Sequence, residues 1–237
     1  MPKSTVSLTF NRWVLGLNCG CVGEALASLS DVLCKSGFGQ IQRIAFQRRF
    51  SNGQLNVITD ADIVSADAWI SRIVAEDSTK VVLSPFIGNP ELSSGAKRAF
   101  GGDNSTVNGV ELNVGRESAS FSAVLYDENQ MTVKKLKSYQ CEVLSIFLVD
   151  EFGNIAAIRV DGGYAGIPVQ SFFVGDKDFG GLTDPDSNQL TFSLKPNWSD
   201  NLVRLRAVDL GYNLLSDFDR EFSRDYNDDF NSDFAII

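Results

Sequence analysis

Histidine is absent from this sequence of 237 residues. Its absence excludes Ser–His–Asp and Cys–His catalysis, metal sites with imidazole ligands and the commonest general base at neutral pH. Acidic residues remain, and Glu142, Asp150 and Glu151 lie close together in the sequence. We interpret them as strand ends and turn residues rather than as a pair of catalytic acids. The sequence therefore predicts no catalytic residues and no enzyme.

Cysteine is scarce, with Cys19, Cys21, Cys34 and Cys141. A single residue separates Cys19 from Cys21, whereas structural zinc sites usually begin with a wider spacing. Cys34 and Cys141 stand among apolar residues, which predicts small buried hydrophobic side chains. We expect no metal, no other cofactor, and thiols that stay reduced in a cytosolic product.

Long apolar runs and an excess of positive charge are also missing. The apolar residues 13–17 are followed at once by Asn18, far short of the roughly 20 residues that cross a bilayer. The sequence thus predicts no signal peptide and no membrane association. The net charge of −9 argues against a general nucleic-acid-binding surface. It suits solubility, or a wall past which DNA slides without sticking.

Regular elements are clearest between Ser118 and Val174. Residues 119–125 alternate apolar and polar side chains, which predicts a half-buried strand. The period changes over residues 128–139, which predicts a short amphipathic helix. A buried strand over 143–149, a turn at 150–154 and a partner strand over 155–160 predict a hairpin, followed by a strand over 167–174.

The preceding part of the chain predicts a strand over 4–13, a helix over 23–35 and a strand over 41–50 that points Arg43 away from its apolar face. Asn52-Gly53 predicts a tight hairpin turn, and Ser65 a cap for a second helix reaching about Ala75. Pro85 places a strand over 80–87 at a sheet edge, closed by a turn at residues 88–90.

Turn residues crowd the stretch 88–117, where a short strand over 110–114 is the main regular feature. Turn residues also fill 175–187, and its acids predict a solvated loop rather than a calcium site. Two strands follow, over 190–194 and 201–209, and we expect them to be antiparallel neighbours joined through residues 196–198.

The C-terminal segment combines many acids with an apolar residue at every fourth position from Leu214. On a helix this spacing produces a slowly winding apolar ridge. Either the ridge docks on the chain's own core, or it is an arm that becomes ordered on a neighbouring subunit. The candidate subunit-interface residues are Phe218, Phe222, Tyr226, Phe230 and Phe234.

These patterns predict a mainly β (α+β) fold, an antiparallel β-sandwich or barrel with two to three short flanking helices. Residues 1–209 would form one β-rich domain, with a core over 80–208 and an N-terminal helical elaboration over 1–79. Residues 210–237 would form the acidic aromatic arm.

The order of elements resembles that of the tail tube (major tail) proteins of bacteriophages over residues 80–208. The resemblance is carried by residues 120–125, 131–136, 146–155, 175–176 and 190–192. It implies rings that stack into a conduit for DNA, with an inner β-barrel to which every subunit contributes. Residues 88–117 and 210–237 would bridge successive rings.

The same resemblance implies a virion tail protein made in the host cytoplasm, with copies of itself and other phage tail proteins as partners. DNA would pass through the lumen without specific binding, and no membrane would be involved. Residues 1–79 and the acidic tail depart from a minimal tube protein. A tail terminator, a baseplate component, or a decoration or host-binding protein therefore remains an alternative.

Overall fold

The computed structural model describes residues 38–101, 111–181 and 184–217, and its helices and strands lie in the compact unit that begins at Gln40. The strands are β1 (Ile41–Arg48), β2 (Phe50–Ser51), β3 (Gln54–Leu55), β4 (Ile58–Thr59), β5 (Val81–Leu83), β6 (Gly88–Ser93), β7 (Lys97–Gly101), β8 (Glu111–Arg116), β9 (Ala119–Tyr126), β10 (Leu144–Asp150), β11 (Ile155–Val160), β12 (Gly163–Ala165), β13 (Ile167–Asp178), β14 (Ser187–Leu194) and β15 (Leu202–Leu205). The helices are α1 (Ala66–Ile73), α2 (Gln130–Ser138) and α3 (Ala207–Leu210), with 3₁₀ turns at Asp62–Val64 and Tyr139–Cys141.

A branched antiparallel sheet of 11 strands forms the body, with the order β4-β12-β11-β10-β13-β14-β9-β6. One edge of β10 pairs with β1 along its whole length, from Ile41 opposite Asp150 to Arg48 opposite Leu144. Its other edge is divided between β11 and β13. The division bends the sheet into two facing parts, which gives a sandwich-like arrangement and, over the described residues, no closed barrel.

One apolar layer lies between the sheet and α1. Ala45, Phe147 and Ala157 from the strands pack with Trp69 and other buried residues of this cluster. The Trp69 and Phe147 rings meet edge-on at 5.5 Å between centroids. Ser65 caps α1, since its side chain accepts the Ala68 N–H at 3.3 Å.

A second apolar layer fills the space between the two facing parts of the sheet. The rings of Phe46 in β1 and Phe172 in β13 lie 4.9 Å apart, and Phe121 in β9 stacks on Phe192 in β14 at 4.4 Å. The alternation predicted for β9 is confirmed, because Ala119, Phe121, Ala123 and Leu125 are buried.

Most predicted elements of the described residues are confirmed, including α1, α2, the β10–β11 hairpin and β13. The Asn52-Gly53 turn joins β2 to β3, with both residues at positive φ. Strand β5 lies at an edge as Pro85 predicts, since over the described residues it pairs only with β1. The predicted strand over 4–13 and helix over 23–35 lie outside the described residues.

Several local predictions are wrong. The strand predicted over 201–209 ends at Leu205, and residues 207–210 form α3. Residues 88–90 begin strand β6 instead of a turn, because a bulge with Asn89 at φ 46° accommodates Pro90 at an edge. Strand β15 pairs with β11 and is no neighbour of β14, since the chain crosses to the other part of the sheet. Cys141 is exposed, because it ends a 3₁₀ turn at the surface. Arg43 is buried, at 2% exposure.

The partition of the chain at residues 79 and 80 is not apparent in the strand pairing. Strand β1, from the predicted N-terminal elaboration, lies between β5 and β10 inside the main sheet. Within the described ranges no helix is both long enough and apolar enough to span a bilayer.

Candidate assembly surface

One long hairpin extends from the sheet and beyond it. Its base consists of β6 and β9, which pair from Gly88 opposite Val124 to Ser93 opposite Ser120. The Glu117 N–H then donates to the Ala96 carbonyl at 2.8 Å, and the ladder continues as β7 and β8. Over the described residues β7 and β8 pair only with each other. This outer half, residues 97–101 and 111–116, is called the projecting hairpin.

Gly95 lies where the projecting hairpin leaves the sheet. A Cβ atom at this position would be 1.8 Å from the carbonyl oxygen of Glu117 in the opposite strand. Because that neighbour is backbone, only a residue without a side chain permits so close an approach. Next to it, the hydroxyls of Ser93 and Ser120 are 2.7 Å apart. The direction in which the hairpin projects is therefore set at a narrow neck.

The projecting hairpin carries large apolar side chains in water. Phe100, Leu112 and Val114 are 55%, 53% and 61% exposed, and Phe100 lies directly opposite Leu112. All residues of β8 are exposed. A two-stranded ribbon is marginally stable in water unless a third strand or another surface covers one face. The projecting hairpin is therefore the strongest candidate for an interface.

The sheet that holds the hairpin's base has one open edge and one covered edge. The outer edge of β6 has no partner strand among the described residues. At the opposite side, the Gln140 side chain donates to the Val174 carbonyl of β13 at 3.1 Å, and Lys137 of α2 forms an ion pair with Asp176. The Lys137 ammonium lowers the pKa of Asp176. An open edge next to an apolar hairpin favours association with a further chain.

The outward face of this sheet is rich in hydroxyl groups. Ser93, Ser120, Ser193 and Ser171 are in register across its four strands. The hydroxyls of Ser171 and Ser193 are 2.6 Å apart. Neutral hydroxyls offer a phosphate backbone none of the Lys and Arg contacts that bind nucleic acid.

The sequence-predicted interface residues Phe218, Phe222, Tyr226, Phe230 and Phe234 lie outside the described residues. The residues before them pack on the chain's own core, where Leu210, Tyr212 and Leu214 are buried. The guanidinium of Arg43 donates to the carbonyls of Leu214 and Leu215 at 3.2 and 3.1 Å. The first residues of the predicted arm therefore belong to the body, and for 218–237 both interpretations stay predictions.

The three acids considered for catalysis have structural contacts. Glu142 accepts two hydrogen bonds from Arg48, at 2.6 and 2.7 Å, and these bonds raise the pKa of the Arg48 guanidinium. Buried Asp150 accepts the Asn154 backbone N–H at 2.9 Å and so orders the β10–β11 turn. Glu151 Oε1 accepts the Gln40 N–H at 3.4 Å. Over the described ranges no three His, Cys, Asp or Glu side chains are grouped as a metal site.

Sequence reasoning missed the apolar face of the projecting hairpin, although it predicted β8. The signal was present, because two short segments with apolar residues flank a cluster of Gly, Asn and Ser at 101–109. Strand β7 is too short and too charged to be recognised by alternation alone.

No protein-family model matches this chain, and no curated protein matches it significantly. Solved structures similar to this chain include the tail of an empty gene transfer agent particle with C6 symmetry and the virion of a native gene transfer agent particle. Each has a TM-score of 0.30 and 15% identity. The first similarity covers 49% of this chain and 80% of the other, and the second 50% and 83%. Similarity at this level establishes neither a shared fold nor a shared function.

Proposed function

We propose that this chain is a structural virion protein of a phage-like tail, whose copies assemble into stacked rings that form a tube for DNA. The projecting hairpin carries the proposal. It presents Phe100, Leu112 and Val114 to solvent on a ribbon that the described body leaves uncovered. A surface of this kind is stabilised when a further copy covers it.

Other features support the same role. If residues 80–208 correspond to a tail tube protein, the hairpin belongs to a segment that we expect to bridge rings. The open edge of β6 suits strand pairing around a closed ring, where no edge remains exposed. The net charge of −9 lets DNA pass without specific binding, because phosphate is repelled.

Concentration-dependent assembly tests the proposal. The purified chain is followed by light scattering coupled to size exclusion, and images are recorded after negative staining. We expect rings or tubes whose amount rises with concentration. A chain that stays monomeric at the highest soluble concentration contradicts the proposal, as does a solid or irregular aggregate without a hollow axis.

A hairpin variant tests the observation that carries the proposal. Phe100→Ser, Leu112→Ser and Val114→Ser together remove the apolar face, and we expect assembly to be lost. Because the three side chains are exposed, the free energy of unfolding of the monomer should change by less than about 1 kcal/mol. The matched control, Val143→Ser with Phe152→Ser and Phe179→Ser, removes exposed apolar residues elsewhere and should still assemble. If both variants assemble equally well, the projecting hairpin is not the surface through which copies associate.

A further inference from the structure

A cleft of about 460 Å³ lies beside α3 on a different part of the body from the hairpin. Its apolar lining comes from Ile63, Val64, Leu205 and Leu210. Ile63 and Leu210 belong to the buried core, whereas Val64 is 51% exposed at the opening. Ile63 and Leu210 belong to the same core cluster as Trp69 of α1, so the floor of the cleft is part of that core.

Two arginines are held at the rim by neighbouring carboxylates. Arg206 donates from Nε and Nη2 to Asp209 at 2.6 and 2.9 Å. Arg159 donates to both oxygens of Asp60, and its guanidinium lies 4.6 Å from the centre of the Tyr164 ring. A guanidinium carries five N–H donors, so each arginine keeps donors beyond those its aspartate accepts. The side chains of Arg159 and Arg206 are 47% and 41% exposed, and those donors can meet a second carboxylate.

The ion pair of Arg159 with Asp60 favours the charged form of both side chains. The Arg159 guanidinium lowers the pKa of Asp60, and Asp60 raises the pKa of Arg159. Arg204 also lines the cleft, and the carboxylate of buried Asp150 lies 4.0 Å from its Nη2. Each of the three arginines therefore has one carboxylate partner, so the cleft has no excess of acid in a chain of net charge −9. It combines an apolar floor with two exposed guanidinium groups at its rim.

The chain itself contains a segment of complementary chemistry. Residues 218–237 have aromatic residues at every fourth position from Phe218 to Phe234, with six carboxylates and two arginines among them. An aromatic side chain flanked by acids is what an apolar floor with arginines at its rim would recognise. Twenty residues follow Asp217, which is ample length to reach a neighbouring subunit.

We propose that the cleft binds the segment 218–237 of a second copy, with an aromatic side chain on the floor and acidic residues at Arg159 and Arg206. Each copy has one cleft and one segment, so exchange between neighbours satisfies all of them in a closed ring. Residues 207–217 of each copy, called the strap, already occupy the core beside the cleft through Tyr212 and Leu214. This inference rests on the proposed function, since it requires copies to associate.

Photo-cross-linking in the full chain tests the occupant. Val64→p-benzoyl-phenylalanine places the cross-linker at the mouth of the cleft, and Val143→p-benzoyl-phenylalanine places it at an equally exposed valine outside it. Equal amounts of isotope-labelled and unlabelled chains are mixed before assembly, and cross-linked peptides are identified by mass spectrometry. We expect peptides from 218–237 linked to position 64 in mixed-isotope pairs, and far fewer from position 143.

Other outcomes overturn the inference. Pairs of one isotope only would show that the segment docks in its own chain, and absence of the segment from the linked peptides would exclude this cleft. Images of the same samples separate the two proposals. Tubes without the cross-link reject the cleft alone, whereas an exclusively monomeric sample rejects the proposed function as well.

Charge variants in the cross-linker background test the recognition. Arg159→Gln with Arg206→Gln should lower the yield from position 64 by about two- to fivefold, the effect of losing exposed ion pairs. Lys195→Gln, an exposed cation outside the cleft, is the control and should leave the yield unchanged. Raising the salt concentration should lower the yield of the parent chain as well. A yield that is independent of both the arginines and salt overturns the assignment of the rim.

Discussion

Tyr212 ties the C-terminal strap to the body with one buried hydrogen bond. Its hydroxyl donates to the Ile63 carbonyl at 2.6 Å, and the Trp69 Nε1–H donates to the same carbonyl at a longer distance of 3.5 Å. Tyr212→Phe should therefore lower the free energy of unfolding by about 1 kcal/mol, as measured with urea. Tyr126→Phe is the control, because Tyr126 is 41% exposed, and we expect a change below about 0.5 kcal/mol. Equal losses in both variants would contradict this role.

The same residue predicts a dependence on alkaline pH. Burial raises the pKa of Tyr212 well above its ordinary value. In the unfolded chain the phenol ionises near pH 10. The folded state keeps the proton to a higher pH than the unfolded chain does. The contribution of Tyr212 to the free energy of unfolding is therefore complete below about pH 10 and falls as the pH rises further. Urea unfolding is measured at about pH 9 and about pH 11. Between these two pH values the free energy of unfolding should fall less for Tyr212→Phe than for the parent chain or for Tyr126→Phe. Equal falls in all three chains would refute the role of Tyr212 in this pH dependence.

Two adjacent glycines, Gly162 and Gly163, lie at the β11–β12 turn. Substituting each by alanine distinguishes the cost of backbone strain from the cost of a steric clash. A Cβ at Gly163 would be 2.1 Å from the Ile58 carbonyl oxygen of β4, whereas at Gly162 no atom lies within 4 Å. Both have positive φ, +154° and +86°. We expect Gly162→Ala to cost about 1 kcal/mol and Gly163→Ala about 2 kcal/mol or more, because β4 must also move. Thermal or urea unfolding measures both, and the reverse order would contradict the close approach of β4 and β12.

Some residues could not be placed from sequence, for a common physical reason. Arg43 follows a bulge in the pairing of β1 with β10, and it is stabilised by carbonyls of residues 214 and 215. Alternation predicts the face of a residue only while the register is regular. A charge satisfied by backbone far along the chain leaves no local signal.

Elements with strong local signals were predictable. Helix α1 has its cap at Ser65, α2 has its period, and β9 and β14 have unbroken alternation. Pairings between distant segments were not, as β15 and β11 show, because many partners fit one apolar pattern. The candidate site was predictable in part, since the stretch containing β6 to β8 was identified but its exposed face was not.

The neck of the projecting hairpin is a test at the level of one element. Gly95→Ala should force the strands apart at Glu117, change the direction of the projecting hairpin and reduce assembly. The body should keep its free energy of unfolding within about 1 kcal/mol, because the neck is outside both apolar layers. Gly181→Ala adds the same methyl group where no atom lies within 4 Å, and should assemble normally. Sedimentation of assembled material measures both, and normal assembly of Gly95→Ala would show that the direction of the hairpin is unimportant.

In the whole molecule, residues 207–217 pack as part of the body, although the acidic segment 218–237 follows them directly in the sequence. Leu210, Tyr212 and Leu214 join residues from β1, β10 and β11 in one core. The strap contacts Arg43, some 170 residues away in the sequence. Because this contact is distant, the local composition gives no sign that the strap belongs to the body and differs from residues 218–237.

Two truncations distinguish the strap from the segment beyond it. A chain ending at Asp217 keeps the strap, and we expect the unfolding free energy of the monomer to stay within about 1 kcal/mol of the parent. A chain ending at Asp209 loses three buried side chains, each stabilising by about 1.5–3 kcal/mol, and should unfold or be severely destabilised. Circular dichroism with urea measures both. If 218–237 serves a neighbouring copy, the chain ending at Asp217 should remain folded yet assemble poorly, whereas unchanged assembly would leave that segment without a role between subunits.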